Sequence, residues 1–477
     1  MVFVLRHSLW HSMLVVALLT VVLPTASSAA PRPTHLALGN ATIWHVPGDF
    51  STIQSAINAA SAGDTVLVAA GSYTGSLNFN GKALNVQSSA GSAATAIVGN
   101  GGAAVTIGPL GALIGFTISH GVGYAGGGIA VSGTGTIIRS NILIDNAALV
   151  GGTGAAIAGN GASPLIDGNT FRNNACDTQF LSGVVSFIND SSPQITNNLF
   201  INNPCRAINL TLPQGPTPQI YNNTIVGNPV GILVDAQVPA VAQIYRNNIL
   251  VGNTVGLEVD LSVAAAYDPT WEYNLVFGNT VNYQGIADQT GLHHNLSADP
   301  LFVDTTQALY ALQTTSPAVD SGTNAQCPAT DLQNSLRPQG SACDIGAYEV
   351  IQTQVGFLAQ STAVPEHAGA SNITVTLDQA LPVTATVTYS TTAIALGSRA
   401  TPGVDYQPSA GMLIFPPGHT QAQFAIPILD DRVPEPDEAL LMVLSDPRAP
   451  NTLLRLAAPA TLTITDSDVA LYLALVR

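Results

Sequence analysis

The middle of the chain repeats a short apolar run with asparagine on one or both sides. The runs are SNILIDN (140–146), GNTFRNN (168–174), NNLFINN (197–203), YNNTIVGN (221–228), NNILVGN (247–253) and YNLVFGN (273–279). Their closing asparagines are 28, 29, 25, 25 and 26 residues apart. A second apolar run, exemplified by GILVD (231–235) and GLEVD (256–260), keeps the same step. Each repeat therefore predicts two or three short strands separated by turn residues, with no room for a crossover helix.

Strands this short cannot bury their apolar faces alone. Stacking one repeat on the next buries them, so the pattern predicts an all-β domain built as a parallel β-helix. Equivalent residues would then lie roughly 4.8 Å apart in successive coils. We therefore expect the asparagines to form a ladder of amides bonded along the axis, with a structural role.

Both ends of this stack carry closing signals. Ser51 to Gln54 is a capping box, and Ile53, Ala56, Ile57 and Ala60 form one apolar helical face that ends at Gly63. This pattern predicts an N-terminal helical cap. After the last repeat, three segments are expected to close the other end: ADPLFVD (298–304), SPAVDSG (316–322) and RPQGSACDIGAYEV (337–350).

The pattern changes at Gly356, where the asparagine repeats stop. Alternating strands follow, such as NITVTL (372–377), VTATVTYS (383–390) and LIFPPGHTQAQFAIPIL (413–429). About seven strands in this region predict an antiparallel, immunoglobulin-like β-sandwich. The predicted domains are a signal peptide (1–30), the β-helix with its caps (31–350), the sandwich (351–468) and a tail (469–477).

The first 30 residues predict export. Arg6 precedes an apolar run from Met13 to Leu23, and small residues continue to Ala30. That run is too short to span a bilayer, and no later segment is long and apolar enough. We expect a secreted or cell-surface protein with no transmembrane span in the mature chain.

The amino-acid composition limits the kinds of ligand that the chain can bind. The 477 residues carry a formal charge of −16 with 9% charged residues, and Lys82 is the single lysine. Phosphate binding needs a basic stripe, so nucleic acid is excluded and cations are favoured as ligands.

Four cysteines suit an oxidising compartment. Cys176 and Cys205 follow equivalent asparagines about one coil apart, so stacking brings them together, while Cys327 and Cys343 close a short loop. We favour these two disulfides over the two other pairings. No Cys-x-x-Cys or paired histidine accompanies them, which argues against metal-binding thiolates.

Two resemblances follow from these motifs. The asparagine repeats, with VPGDFSTIQSAINAASAGDTVLVAAGSY (46–73), resemble secreted right-handed parallel β-helix proteins of the pectate-lyase-like superfamily. The closing segment is similar to the RPxGxxxDIGAYE ending of bacterial surface β-helix proteins. VPEHAG, GVDYQP, IPILDDRVPEPDEALLMVLSD and TLTITDSD resemble, in that order, the Calx-β domain. The first resemblance specifies fold, but that fold hosts lyases, hydrolases and non-catalytic adhesins.

The Calx-β resemblance implies a Ca²⁺ site where loops gather carboxylates at one end of the sandwich. A hard cation takes six to eight oxygen ligands. Ser467 departs from the pattern by replacing an acid; the alternative is a solvated acidic loop. The matching positions are Glu366, Asp405, Asp430, Asp431, Glu435, Glu438, Asp466 and Asp468.

A second candidate lies on the β-helix. Strand alternation points Asp235, Glu258 and Asp260 outward on neighbouring coils, and paired carboxylates suit glycoside hydrolysis or a calcium-dependent lyase. No arginine falls in this column, and few aromatic residues are available to bind sugar rings. These acids are therefore also explained as polar positions on a solvated face.

The sequence predicts an exported, non-enzymatic, calcium-binding module for adhesion or for binding a polysaccharide or cell-surface glycan. The competing prediction is a polysaccharide lyase or glycoside hydrolase that uses Asp235, Glu258 and Asp260.

Overall fold

The computed structural model describes residues 41–176, 182–211, 217–235, 243–260, 270–395, 397–450 and 452–466. The predicted fold class is confirmed: a right-handed parallel β-helix of about 9 turns precedes a sandwich of two mainly antiparallel sheets, each with one edge strand paired in parallel. The predicted signal peptide (1–30) and tail (469–477) lie outside the described residues.

Three parallel sheets form the walls of the β-helix, and each coil contributes one strand to each sheet. Sheet A contains Ile43–Val46, Thr65–Val68, Asn85–Ser88, Ala112–Ile114, Thr134–Arg139, Ser163–Asp167, Gln194–Thr196, Gln219–Tyr221, Ile244–Arg246 and Thr270–Glu272. Sheet B contains Gly71–Thr74, Thr95–Val98, Thr117–Ser119, Ile142–Ile144, Thr170–Arg172, Leu199–Ile201, Thr224–Val226, Ile249–Val251 and Leu275–Phe277. Sheet C contains Leu77–Asn78, Val105–Ile107, Ile129–Val131, Ile157–Asn160, Gly183–Ile188, Arg206–Thr211, Val230–Asp235, Val255–Asp260 and Val281–Gln284.

The core of the β-helix consists of side chains that stack in register along its axis. Phe171 lies on Phe200 with ring centroids 4.5 Å apart, and Tyr245 packs against Trp271. A fully buried side chain of this size contributes roughly 1.5–3 kcal/mol. The inward column of sheet B continues this stack with Ile97, Ile118, Leu143, Phe171, Phe200, Ile225, Leu250 and Val276.

The predicted asparagine ladder is confirmed, and there are two such ladders. In each, the side-chain Oδ1 accepts from both the backbone N–H and the Nδ2 of the asparagine one coil earlier; Asn223 Oδ1 lies 3.0 Å from both atoms of Asn198. The ladder at the sheet A to sheet B turn contains Asn141, Asn169, Asn198, Asn223, Asn248 and Asn274, and it continues to Asn295 after the last coil. The sheet B to sheet C turn carries Asn146, Asn174, Asn203, Asn228, Asn253 and Asn279.

A helix, Ile53–Ala59, covers the N-terminal end of the stack. Its predicted apolar face is confirmed, since Ile53, Ala56, Ile57 and Ala60 are buried. The predicted capping box is displaced by one residue. Thr52, not Ser51, is the N-cap and accepts from the backbone N–H of Ser55. Gln54 instead exchanges two hydrogen bonds with the backbone of Asn78 in the first strand of sheet C.

Lys82 closes the other end of this helix. Its ammonium donates to the backbone carbonyls of Ile57, Asn58 and Ala60 at 2.8–2.9 Å. A cation at a helix C-terminus satisfies carbonyls that lack helical partners. Lys82 therefore has a structural role at the N-terminal cap.

The closing segment, residues 296–350, extends far beyond the last coil. It runs along the outer face of sheet B, where Tyr310 covers Leu199 and Ile201 and Ile345 packs with Ile249 and Leu275. Its backbone is also bonded to asparagine side chains at the sheet A to sheet B corner, through Asn197, Asn222 and Asn247. The segment thus shields the apolar exterior of four successive strands of sheet B.

Residues from Ile351 onward form the sandwich, which has a separate core. One sheet contains, in spatial order, Gln421–Pro427, Ala370–Leu377, Ile351–Phe357 and Thr452–Leu456. The other contains Ser361–Pro365, Ala460–Thr465, Glu438–Arg448, Ala385–Ala393 and Ala410–Phe415.

Further strands and 3-10 helices lie outside these five sheets. Val122–Ala125 pairs with Ala147–Thr153, and Phe302–Asp304 pairs with Leu309–Leu312. Two 3-10 helices span Thr305–Gln307 and Glu366–Ala368.

Both predicted disulfides are confirmed. Cys176 is bonded to Cys205 across neighbouring coils, and Cys327 is bonded to Cys343 within the closing segment. All four cysteine sulfurs are therefore in disulfides, and none is a free thiol.

Candidate functional site

Four connections of the sandwich bring acidic residues to one end. Glu366 begins the 3-10 helix after Ser361–Pro365, and Asp405 lies in the connection before Ala410–Phe415. Glu435 and Glu438 lie at the start of strand Glu438–Arg448, while Asp466 follows strand Ala460–Thr465. These five residues come from four connections that are distant in sequence, so the fold rather than the local sequence assembles the group.

The carboxylates of Asp405, Glu435 and Glu438 converge, with ligand oxygens within 4.8 Å of one another. Glu366 and Asp466 line the same small pocket. Glu366 and Asp405 are buried, at 5% and 4% exposure. Five of the predicted ligands therefore share one site, which we call the carboxylate cluster.

This concentration of negative charge changes the protonation of the cluster. Burial raises the pKa of Glu438 to about 7, and its contacts with Asp405, Glu435 and Glu366 add to the shift. The pKa of Glu435 is also raised, first by desolvation and then by Asp431, Asp405 and Asp466. The apo cluster thus disfavours full ionisation near neutral pH.

The other predicted ligands lie at the rim or outside the described residues. Asp430 and Asp431 are exposed, and each accepts from a backbone N–H two residues further on, of Arg432 and Val433. Asp431 is nevertheless near enough to raise the pKa of Glu435. Asp468 and Ser467 lie outside the described residues.

The carboxylate cluster has the donor chemistry that calcium requires. Its five carboxylates offer oxygen ligands within one small pocket. Two of these carboxylates are also fixed by backbone donors: Asp405 accepts from Thr401, and Asp466 accepts from Glu435 at 3.2 Å. A bound cation would neutralise the cluster and join connections that are distant in sequence.

The second candidate set lies on sheet C. Asp235 is in register with Asp260, and Leu233 is in register with Glu258. Glu258 accepts a hydrogen bond of 3.0 Å from Gln284 on the next strand. The backbone therefore brings Asp235 and Asp260 onto adjacent strands, whereas the side chain of Asp235 lies outside the described part. Leu233 is buried in a small apolar cluster of its own with Val230 and Val255.

The aromatic residues near these coils have structural positions. Tyr245 and Trp271 are in the core, and the Tyr221 hydroxyl donates to Gln326 beneath the closing segment. Tyr273 stacks on His294. The sequence shows few aromatic residues that could bind sugar rings, and these four all make contacts within the protein.

Two of the coil arginines are likewise paired on sheet A. Arg139 donates to Asp167 and Arg246 donates to Glu272. Both pairs lie on a different sheet from Asp235, Glu258 and Asp260.

A groove on the outer face of sheet A was not predicted from the sequence. It consists of two adjoining cavities, of about 370 and 400 Å³, that share Leu165 and Gln194. Pro328–Asn334 in the closing segment forms one wall of the first cavity. Since that wall is more than 100 residues from the floor, as in the contact between Asn197 and Thr330, no local motif could reveal the groove.

Comparisons with known proteins identify both domains. The family model for the right-handed β-helix region matches residues 74–266, and that for the Calx-β domain matches residues 350–468. No curated protein is significantly similar to the chain. None of the described helices has the length and apolar character needed to cross a membrane.

Solved structures are similar to the C-terminal part. The apo-form Calx CBD1 domain is 30% identical, with 24% of this chain and 98% of that chain covered and a TM-score of 0.22. A calcium binding domain structure titled CBD12 of CALX1.1 is 31% identical, with 24% of this chain and 46% of that chain covered and a TM-score of 0.22.

Proposed function

We propose that this chain, which joins a right-handed β-helix to a C-terminal Calx-β domain, is an exported, non-catalytic module that binds Ca²⁺ and a surface or extracellular glycan. The observation that carries the proposal is the convergence of Asp405, Glu435 and Glu438, with Glu366 and Asp466 in the same pocket. The two domains fit a binding or surface role.

Calcium supplies charge neutralisation in this proposal. Without it, carboxylates within 4.8 Å repel one another, and this repulsion adds to the burial that raises the pKa of Glu438. With it, the connections bearing Glu366, Asp405 and Glu438 share one cation. The result is a stiffer end of the sandwich in a medium rich in free calcium.

Export is supported by the two disulfides and by the N-terminal sequence pattern. Disulfides persist in oxidising compartments, where the β-helix would present its outer faces to large ligands. Stacked coils form a rigid scaffold for such a surface.

Thermal unfolding of the full chain in chelator and in calcium tests the proposal. A ligand at a hundredfold excess over its Kd stabilises the state that binds it by about 2.7 kcal/mol. We therefore expect calcium to raise the unfolding transition of the sandwich and to leave the β-helix transition unchanged. An identical melt with calcium and with chelator would refute the calcium site.

Matched variants locate the effect. Glu438→Gln should abolish most of the calcium-dependent shift because it removes a central anionic ligand. Asp378→Asn removes an exposed carboxylate outside the cluster and should keep the shift. Equal shifts in both variants would place calcium elsewhere.

The register of Asp235 with Asp260 favours a second candidate function, a polysaccharide lyase or glycoside hydrolase. Paired carboxylates act as acid and base, or as acid and nucleophile, on a glycosidic bond. Incubation with pectin, alginate and host glycans should then give unsaturated products or new reducing ends. Activity that disappears in Asp235→Asn would replace the non-catalytic proposal.

A further inference from the structure

The floor of the sheet A groove is a stripe of outward-facing side chains in register. Ile137 lies beside Leu165, Leu165 beside Gln194, and Gln194 beside Gln219. Each is exposed or half-buried. Because coils are spaced by roughly 4.8 Å, the groove repeats its contacts at about the length of one sugar ring in a linear chain.

The wall of the groove is fixed to its floor. Asn197 donates through Nδ2 to the carbonyl of Thr330, at 2.8 Å, and to Asp167 Oδ1, at 3.0 Å. Asn197 itself is buried, at 2% exposure. The groove is therefore formed before any ligand binds, which lowers the entropic cost of binding.

The charged groups of the groove are internally compensated. Arg139 Nε donates to Asp167 Oδ2 at 2.9 Å, and Thr196 donates to Asp167 Oδ1 at 2.8 Å. The side chain of Arg139 is 45% exposed. Asp331 accepts through both oxygens from backbone N–H groups, including that of Glu349. The groove thus offers hydrogen bonds without a strong excess of charge.

We infer that the sheet A groove binds a neutral polysaccharide chain lying along the axis of the β-helix. Gln194, Gln219 and the Arg139 side chain suit sugar hydroxyls, and Ile137 with Leu165 suits the C–H faces of sugar rings. A polyanion would meet Asp167 and a chain of net charge −16, so it is disfavoured. This inference rests on the proposed glycan-binding role and gives it a location.

Affinity electrophoresis of the full-length protein tests the inference. The gels contain chelator and one polymer each: a mixed-linkage β-glucan, a galactomannan, a xylan, dextran or polygalacturonate. We expect at least one neutral polymer to retard the protein more strongly than polygalacturonate does. Retardation by none of the neutral polymers, or stronger retardation by polygalacturonate, would overturn the inference.

Substitutions in the floor connect binding to this groove. The double change Gln194→Ala and Gln219→Ala removes two amides and should raise the Kd about tenfold. Gln219→Trp, which fills the groove, should weaken binding as well. Gln87→Ala is the control, since Gln87 lies on the same sheet, outside the groove.

The outcomes separate this inference from the proposed function. Binding that is equal in the wild type, the double variant and Gln219→Trp would disprove the groove but keep a glycan-binding role. The calcium melt is read independently of any polymer. Its failure would remove the calcium site without affecting a groove that binds in chelator.

Discussion

At the scale of single residues, the charged side chains of the closing segment have a structural role. Arg337 and Glu349 form an ion pair of 2.9 Å whose side chains are both 0% exposed. Arg337 also donates to the carbonyls of Asp344 and Gly346, and Glu349 accepts from the backbone N–H of Gln339. The RPxGxxxDIGAYE pattern therefore encodes a buried polar network that holds the turns of the segment together.

Removing one partner of that pair should be costly. Glu349→Gln removes the carboxylate that is paired with the buried guanidinium of Arg337, and we expect a loss of about 3–5 kcal/mol in the free energy of unfolding. Denaturant unfolding measures this loss. Asp446→Asn, in the exposed pair with Arg448, is the control and should cost at most about 1 kcal/mol. Similar losses in the two variants would show that burial does not increase the contribution of the ion pair to stability.

The raised pKa of Glu438 gives a pH prediction. The folded pKa, about 7, exceeds the ordinary value of 4.5, so the fold favours the protonated form. That contribution to stability is complete below the ordinary pKa and is lost as pH rises through about 7. In chelator, the melting temperature of the sandwich should therefore decrease as the pH is raised from about 5 to about 8, because Glu438 loses its proton in that range.

Two observations check this assignment. Glu438→Gln should flatten the fall in melting temperature, because the titrating group is gone. Calcium should stabilise the wild type more at the higher pH, where the ligand is ionised. A fall of the same size in wild type and Glu438→Gln would assign the titration to another group.

At the scale of elements, the asparagine turns combine two kinds of position. Asn223 is buried in a ladder, where it donates to Ile195, Tyr221 and Asn248 and accepts from Asn198. Asn173 is exposed and has a left-handed backbone with a φ of 55°. The first position requires an amide, whereas the second requires a residue that tolerates this backbone.

Substitution by aspartate separates these roles. Asn223→Asp replaces the donor with an acceptor and places a charge in the stack, so we expect a loss above about 3 kcal/mol that lessens at low pH. Asn173→Asp should change stability by less than about 0.5 kcal/mol. Urea unfolding of both variants at pH 7 and pH 4 provides the test, and equal losses would contradict the ladder.

The ladder was predictable because its period is visible in the sequence, and a fixed step of 25 to 29 residues has few physical solutions. The path of the closing segment was not predictable from the sequence. Its contacts, such as Asn197 with Thr330 and Asn222 with Asp344, join residues more than 100 positions apart and leave no period. The predicted capping box was also wrong by one residue: Thr52 is the N-cap, and Gln54 bonds to the backbone of Asn78, a contact across 24 residues that a local motif does not show.

The candidate sites also differ in whether the sequence could predict them. The carboxylates of the sandwich were predicted from a resemblance that preserves their order, and five of them share a pocket. The sheet A groove depends on where the closing segment lies, so it required the structure. Tyr245 and Trp271 are buried in the core of the β-helix, in keeping with the scarcity of aromatic residues for sugar binding in the sequence.

At the scale of the whole molecule, the closing segment covers the outer face of sheet B in the later coils of the β-helix but, among the described residues, not in the earlier ones. Coils of sheet B from Leu199–Ile201 to Leu275–Phe277 have their outer face covered by apolar residues of the segment. In stacked repeats, stability is set mainly by each repeat and its neighbours. The covered coils should therefore depend on the segment, and the coils before them should not.

Hydrogen exchange of two core variants tests this division. Ile345→Ala empties a fully buried site between the segment and sheet B, and such truncations cost about 2–5 kcal/mol. We expect faster amide exchange in residues 197–279, with residues 65–145 unchanged. Ile118→Ala, in an earlier coil and equally buried, should give the opposite distribution. Acceleration across both regions in either variant would mean that the stack unfolds as one unit, and the segment would then stabilise the entire β-helix.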